Sequence, residues 1–122
     1  MKVELVEIAD RGVLDKERVR LRVLEDANMT NYAIFDSRYS SPSSIQNGQK
    51  ACYWCPPTMV KAGANVVIYT RAGNPNTETA PDGTISHFMF RNQPSPLYSD
   101  PASCAVLFEI LHWQTSKQPP AT

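Results

Sequence analysis

Two cysteines separated by two residues, Cys52 and Cys55, have the spacing that redox and metal-binding sites use. In redox proteins such a pair lies at the N-terminus of a helix, where the first thiol has a lowered pKa. Here Tyr53 and Trp54 stand between the cysteines and favour a strand, in which residues three apart point to opposite faces. Their Cα atoms would then be about 10 Å apart, too far for a disulfide. We therefore interpret both as buried structural cysteines.

A zinc site is the alternative use of these cysteines. Zinc takes four ligands, and the chain has no second Cys-x-x-Cys to complete the set. The other ligands would have to come from His87, His112 and Cys104. A histidine within an apolar strand is more often a core or edge residue than a ligand, so we predict no metal and no cofactor. The residues of the alternative are Cys52, Cys55, His87 and Cys104.

The sequence contains none of the common catalytic motifs. Gly-x-Ser-x-Gly, His-Glu-x-x-His and glycine-rich phosphate loops are all missing. The carboxylates Glu7, Asp36 and Glu109 fall on separate predicted strands. We name no catalytic residue and interpret the chain as a binding protein.

A basic stripe is predicted on one strand face, where basic and apolar residues alternate. Its residues are Lys16, Arg18, Arg20 and Arg22. The stripe could contact the phosphates of a nucleic acid. The other interpretation is cross-strand pairing with Glu4 or Glu7 on a solvated sheet face. Because the chain has 12 basic and 12 acidic residues and a formal net charge of zero, we favour the pairing.

Short alternating stretches separated by turn residues predict the elements that position these side chains. The alternation slips at Leu5-Val6, which indicates a bulge in the first strand. No stretch has a useful helical period. The predicted strands are residues 3–9, 16–25, 31–36, 51–55, 65–70, 85–90 and 104–110. Seven or eight such strands indicate an all-β sandwich.

Two long loops, residues 37–50 and 71–84, exceed what a sandwich hairpin needs and are candidate binding segments. The first contains Asn47-Gly48, a strong tight-turn signal. Tyrosine and arginine are favoured interface anchors. The candidate binding residues are Arg38, Tyr39, Arg71, Asn74 and Glu78. Trp113, after the last strand, either caps the open end of the sandwich or docks a partner.

The stretch from Trp54 to Arg71 combines an aromatic strand, Pro56-Pro57, the turn Lys61-Ala62-Gly63 and an apolar strand. Proline cannot donate to a sheet ladder, and Gly63 can supply the positive φ of a tight turn. This order resembles the signature stretch of the lamin tail domain, and residues 18–22, 29–34 and 104–107 resemble other strands of that family. The resemblance implies an immunoglobulin-like β-sandwich that binds other proteins and has no catalytic residues. Some lamin tail domains contact DNA.

The chain departs from true lamins, since it has no coiled-coil rod, nuclear-localisation cluster or prenylation box. It is similar to stand-alone bacterial modules of this shape. Residues 97–103 keep an aromatic but lack the glycine that the family places before its closing strand.

The length of the chain fits one ordinary globular domain. A chain of 122 residues is near the commonest domain size. We predict a single domain over residues 1–115 and a C-terminal tail over 116–122. No apolar segment approaches a membrane span and no signal sequence is evident, so we expect a cytoplasmic protein. The predicted function is a protein-binding or assembly module, with homodimerisation through edge strands as one form.

Overall fold

A computed structural model describes residues 1–46 and 51–121 of the chain. In this part the protein is all-β, with eleven strands and one 3₁₀ turn at Met29–Asn31. The strands are β1 (Val3–Ala9), β2 (Arg18–Val23), β3 (Ala27–Asn28), β4 (Tyr32–Ser41), β5 (Ser44–Ile45), β6 (Cys52–Trp54), β7 (Met59–Val60), β8 (Asn65–Tyr69), β9 (Asn76–Thr79), β10 (Ile85–Phe90) and β11 (Ser103–Glu109).

The longer strands form two sheets. The first has the order β1-β2-β8-β10-β9 and is antiparallel except for the parallel pair β8 and β10. In the second, β4 lies between β11 on one side and both β5 and β6 on the other. The short strands β3 and β7 pair with each other.

The inward faces of both sheets contribute to one hydrophobic core, as in a sandwich-like arrangement. Val19, Leu21 and Ile68 from the first sheet and Tyr32 and Ile34 from the second are each at most 1% exposed. Burying an aliphatic side chain of this size contributes about 1.5–3 kcal/mol. The strict alternation of β2 explains why this strand could be predicted from the sequence.

Strand β1 confirms the predicted bulge. Its register against β2 shifts between Leu5 and Glu7, so that Glu7 rather than Val6 lies opposite Arg20. The seven predicted strands are all present, with ends that differ by a few residues. The predicted count of seven or eight is exceeded by the two-residue strands β3, β5 and β7 and by β9.

Both predicted loops contain strand structure. β4 continues to Ser41 and turns back into β5, so residues 37–45 are largely a hairpin rather than a loop. The Asn47-Gly48 turn lies outside the described residues. In the second loop, β9 pairs with β10. Lys16 lies in a turn before β2, so the prediction that places it on the strand is wrong.

After β11 the described chain forms no further strand, and residues 111–121 are exposed. The predicted domain and tail boundary near residue 115 falls in this segment. Trp113 nonetheless contacts Trp54 of the second sheet. Among the described residues, no helix has the length and apolar character needed to cross a bilayer.

Candidate interaction surface

The outer face of the second sheet carries a cluster of aromatic side chains. Ala33 lies opposite Trp54 on one side and Phe108 on the other, while Phe35 lies opposite Cys52 and Val106. Since side chains alternate along a strand, these residues point away from the core that Tyr32 and Ile34 enter. We call the surface formed by Phe35, Trp54, Phe108 and Trp113 the aromatic face.

The aromatic face is built from two ring pairs. The centroids of Phe35 and Phe108 are 4.4 Å apart, and Trp54 and Trp113 meet edge to face at 5.4 Å. The indole N–H of Trp54 donates to the carbonyl of Thr30 at 2.7 Å, which fixes the orientation of its ring. Between the pairs lies a shallow cavity of about 200 Å³ with an entirely apolar wall. Its lining residues are Ala33, Phe35, Cys52, Trp54, Ile110 and Trp113.

These aromatic rings are accessible. Trp54 is 47% exposed, Phe108 46% and Trp113 65%. At 150–250 Å² for each ring, the three expose roughly 240–400 Å². A contiguous apolar patch of about 300–600 Å² is the largest that a typical monomer shows, and such a patch often has a function.

The cysteines do not share one environment. Cys55 is buried, and desolvation raises the pKa of its thiol to about 12. Cys104 is also buried, but Cys52 is exposed in the wall of the aromatic face, so the prediction that it is buried is wrong. Partial burial raises the pKa of the Cys52 thiol as well. High thiol pKa values oppose redox catalysis, which uses the thiolate.

No metal centre is assembled by the part of the chain described. Within residues 1–46 and 51–121, no group of three or more His, Cys, Asp or Glu side chains could hold a metal ion. His87 lies on β10, in the first sheet, opposite Val66 and Thr77. Burial lowers the pKa of its imidazole. Cys52, by contrast, lies on β6 in the second sheet.

Each arginine of the basic stripe has an acidic partner. Arg18 lies 2.6 Å from Asp10, Arg20 3.2 Å from Glu7, and Arg22 3.8 Å from Glu4. The last two pairs are cross-strand neighbours of β1 and β2, as the pairing interpretation predicts. The face therefore offers phosphate groups no excess of positive charge from these arginines.

The five candidate binding residues from the loops are not gathered in one place. Arg38 and Tyr39 lie on β4, where Arg38 pairs with Asp100 at 2.8 Å. Arg71 follows β8, and its guanidinium lies 4.7 Å from the ring centroid of Tyr69. Asn74 and Glu78 lie before and on β9, at the far edge of the first sheet. The predicted residues thus belong to both sheets rather than to one site.

Two buried polar clusters, which we did not predict, tie the connection after β10 to both sheets. In the first, the Glu17 clamp, one carboxylate accepts hydrogen bonds from the N–H groups of Gly12, Leu97 and Tyr98 and from the Thr70 hydroxyl. Burial would raise the pKa of Glu17, but these four donors together lower it. The sequence around Glu17 gives no sign that this carboxylate is buried, because a charged residue before a strand is usually exposed.

The second cluster joins Asp36, Arg91 and Tyr98. Arg91 donates to both oxygens of Asp36, at 2.7 and 3.0 Å, and the Tyr98 hydroxyl donates to Asp36. Burial and the Asp36 charge raise the pKa of Tyr98, so its hydroxyl keeps the proton that it donates. Among the described residues, no buried side-chain polar atom lacks a hydrogen-bond partner. Both clusters are therefore satisfied as they stand, and their groups are occupied in holding the fold.

Two comparisons with known proteins found no relative of the chain. No protein-family model matches the chain, and no curated protein matches its sequence. The aromatic face and the two polar clusters are therefore interpreted on their own chemistry, and the lamin-tail resemblance stays a prediction.

Proposed function

We propose that this protein is a non-enzymatic protein-binding module, and that the aromatic face is its binding surface. The observation that carries the proposal is the apolar cavity bounded by Phe35, Trp54 and Trp113, with Trp54 and Trp113 exposed at its rim. Aromatic residues are enriched among the anchors of protein interfaces, where they supply large contact areas at little entropic cost.

The dimensions of the surface favour a short segment as the partner. A stable interface between folded proteins buries about 800 Å² on each side, roughly two to three times the area of the exposed rings. A cavity of about 200 Å³ accommodates one or two apolar side chains. A peptide segment that inserts an aliphatic, aromatic or prolyl group into the cavity bounded by Phe35, Trp54 and Trp113 would therefore fill the site.

The charge distribution supports a protein partner over a nucleic acid. Phosphate contacts dominate the affinity of nucleic-acid binding, and they require cations that are not already paired. Arg18, Arg20 and Arg22 are each within 4 Å of a carboxylate. The aromatic face lies on the opposite sheet, so its rings do not add stacking positions to the basic stripe.

The proposal extends to the fold type and location predicted from the sequence. The Pro56-Pro57 and Lys61-Ala62-Gly63 segment connects β6 of the second sheet to β8 of the first, which suits the immunoglobulin-like, lamin-tail-like interpretation. The three free cysteines suit a reducing compartment such as the cytoplasm.

A comparative capture experiment tests the function. The immobilised full chain is incubated with source lysate, with and without nuclease, and bound proteins are quantified by mass spectrometry. Trp113→Asp introduces a charge into the aromatic face. Leu111→Asp is its matched control, because Leu111 is 74% exposed in the same segment but does not line the cavity.

We expect a nuclease-resistant partner that Trp113→Asp loses and Leu111→Asp retains. A synthetic peptide from that partner should then bind the protein and change its tryptophan fluorescence. Partners that both variants retain would contradict the aromatic face as the site. If the partners are lost on nuclease treatment and also with Arg18→Glu plus Arg22→Glu, the basic stripe would be the binding surface and nucleic acid its partner.

A further inference from the structure

The edge formed by β11 differs from the other sheet edges in the described chain. β1 has a bulge and carries Glu4 and Glu7, which disrupt pairing with another strand. β5 has two residues, β6 has three and is soon followed by Pro56-Pro57, and β9 is short, polar and exposed. By contrast, β11 has seven residues and keeps a regular register with β4. Between its end residues, Ser103 and Glu109, every residue is apolar or cysteine.

The pairing pattern shows which backbone groups β11 presents at its edge. Tyr39 donates its N–H to the carbonyl of Ala102, and Ile110 donates to Asn31, so the even-numbered residues bond to β4. The odd-numbered residues, Ala105, Leu107 and Glu109, direct their N–H and C=O groups outward. The described residues provide these groups with no other hydrogen bond. The carbonyl of Ser103 is different, since Arg11 donates to it at 2.8 Å.

A largely apolar groove lies beside this edge, where β1 of the first sheet approaches β11. The groove has a volume of about 530 Å³. Val3, Leu5, Leu24 and Leu107 contribute apolar walls, and Glu4 contributes a charged one. Leu24 is 46% exposed and Met1 66%. The Arg11–Ser103 hydrogen bond lies at one end, so three residues of free edge remain beside the groove.

We propose that this edge pairs with β11 of a second copy of the chain, antiparallel about a two-fold axis at Leu107. Leu107 would then lie opposite Leu107 of the other copy, and Ala105 opposite its Glu109. All three outward residues would exchange backbone hydrogen bonds. The two second sheets would become one continuous sheet, and the Leu107 side chains of the two copies would lie side by side where their grooves meet.

Two features favour a second copy over an unrelated strand. First, the register about Leu107 is self-complementary: Val106 lies opposite Phe108 on the outer face, and no two like charges lie opposite each other. Glu109, the one charged residue of β11, also accepts a hydrogen bond from Tyr32 of its own chain at 2.9 Å. Second, the formal net charge is zero, so long-range repulsion between copies is minimal.

Substitution at Ala105 tests the edge without removing a hydrogen bond from β4. Ala105→Pro deletes an outward N–H, which an edge strand tolerates, whereas Ala105→Ser keeps it as a matched control. Sedimentation equilibrium of the full chain over a wide concentration range measures the dimer. We expect the parent and Ala105→Ser to dimerise and Ala105→Pro to raise the dissociation constant roughly ten-fold or more, because two N–H groups are lost per dimer.

A second variant covers the case in which Ala105→Pro fails to fold, as circular dichroism would show. Leu24→Lys places a charge in the groove and should weaken the dimer in the same way. A parent protein that is monomeric at every concentration would overturn the proposal, and so would a dimer that neither variant weakens. The result is separable from the proposed function, since Trp113→Asp leaves the β11 edge intact and should still dimerise.

Discussion

At the scale of single residues, Glu17 shows how this small domain keeps a carboxylate in its interior. Burying an ionised group costs several kcal/mol unless hydrogen bonds replace its hydration. The Glu17 clamp supplies four donors, three of them backbone N–H groups from two separate segments. One side chain therefore fixes the turn before β2 and the connection that follows β10.

Replacing Glu17 with glutamine should be costly although the shape is retained. An amide offers one acceptor oxygen and places an NH₂ group among N–H donors, so at least one buried donor loses its partner. We expect the free energy of unfolding to fall by about 2–3 kcal/mol, measured by urea denaturation. The control Glu7→Gln, at an exposed pair with Arg20, should cost at most about 1 kcal/mol. Equal costs would contradict the clamp.

The Glu17 clamp should also make stability dependent on pH. The pKa of Glu17 is lowered in the folded state from an ordinary value of 4.5. Its contribution is then complete above about pH 4.5 and is lost as the pH falls through the lower folded-state pKa. The difference in unfolding free energy between the parent and Glu17→Gln should therefore shrink between neutral pH and about pH 3. A difference that stays constant over this range would show that the charge of Glu17 is unimportant.

At the scale of elements, the turn between β7 and β8 shows the clearest agreement between sequence and structure. Gly63 has a φ of 89°, as the Lys61-Ala62-Gly63 pattern predicts, and its N–H donates to the carbonyl of Val23. Asp26 accepts a hydrogen bond from the Ala62 N–H, which holds the turn against the end of β2.

Substitution of Gly63 should report backbone strain alone, because a Cβ added there would meet no atom within 4 Å. Gly63→Ala should lower stability by about 1–2 kcal/mol, the cost of the left-handed conformation for an ordinary residue. Gly63→Asn should cost less, since asparagine tolerates positive φ. Thermal denaturation of both variants checks the order. If both variants lose the same stability, the turn changes its conformation and the positive φ at residue 63 is not kept.

How far the elements could be predicted depended on local pattern. β2 and β8 alternate or are continuously apolar, and both were predicted because burial dictates such patterns. The β4–β5 hairpin and β9 are mostly polar and exposed, so hydrophobic periodicity gives no signal for them. Their pairing depends on neighbouring strands, and a local stretch of sequence carries no information about those neighbours.

The candidate site was less predictable than the fold. From the sequence, Trp113 is predicted either to cap the open end of the sandwich or to dock a partner. The sequence does not identify Phe35 and Phe108 as site residues, because alternation alone does not say which face of an apolar strand turns outward. Nor could the sequence show that Glu17 and Tyr98, 81 positions apart, share a hydrogen bond.

At the scale of the whole molecule, balanced charge determines which partners are attracted from a distance. Positive and negative groups number twelve each, and those on β1 and β2 neutralise one another. The long-range field that would guide the protein toward nucleic acid is therefore weak.

We consequently expect no retardation of duplex DNA by the protein in an electrophoretic assay at low salt. Exchanging Glu4 and Glu7 for glutamine would leave Arg20 and Arg22 without acidic partners, so this variant tests whether the ion pairs prevent DNA binding. A shift with the parent protein that Arg18→Glu plus Arg22→Glu abolishes would contradict this expectation and support the nucleic-acid alternative.

Because the three cysteines differ in burial, the rates at which their thiols react report how often the structure around each one opens. Cys52 should react with a thiol reagent in the native state, whereas Cys55 and Cys104 should react only when the structure around them opens. We expect one fast and two slow phases in a native thiol titration, and three equivalent thiols in denaturant. Three fast thiols in the native protein would contradict the burial of the other two.

The two slow phases would carry separate information. Cys104 lies on β11 and Cys55 just after β6, on opposite sides of β4. Suppose that the thiol reaction of Cys104 slows as the protein concentration rises, while that of Cys55 does not. Self-association would then be stabilising β11 against local opening. A dye attached to Cys52 would meanwhile sense occupancy of the aromatic face. The unmutated chain thus contains reporters for both of its candidate surfaces.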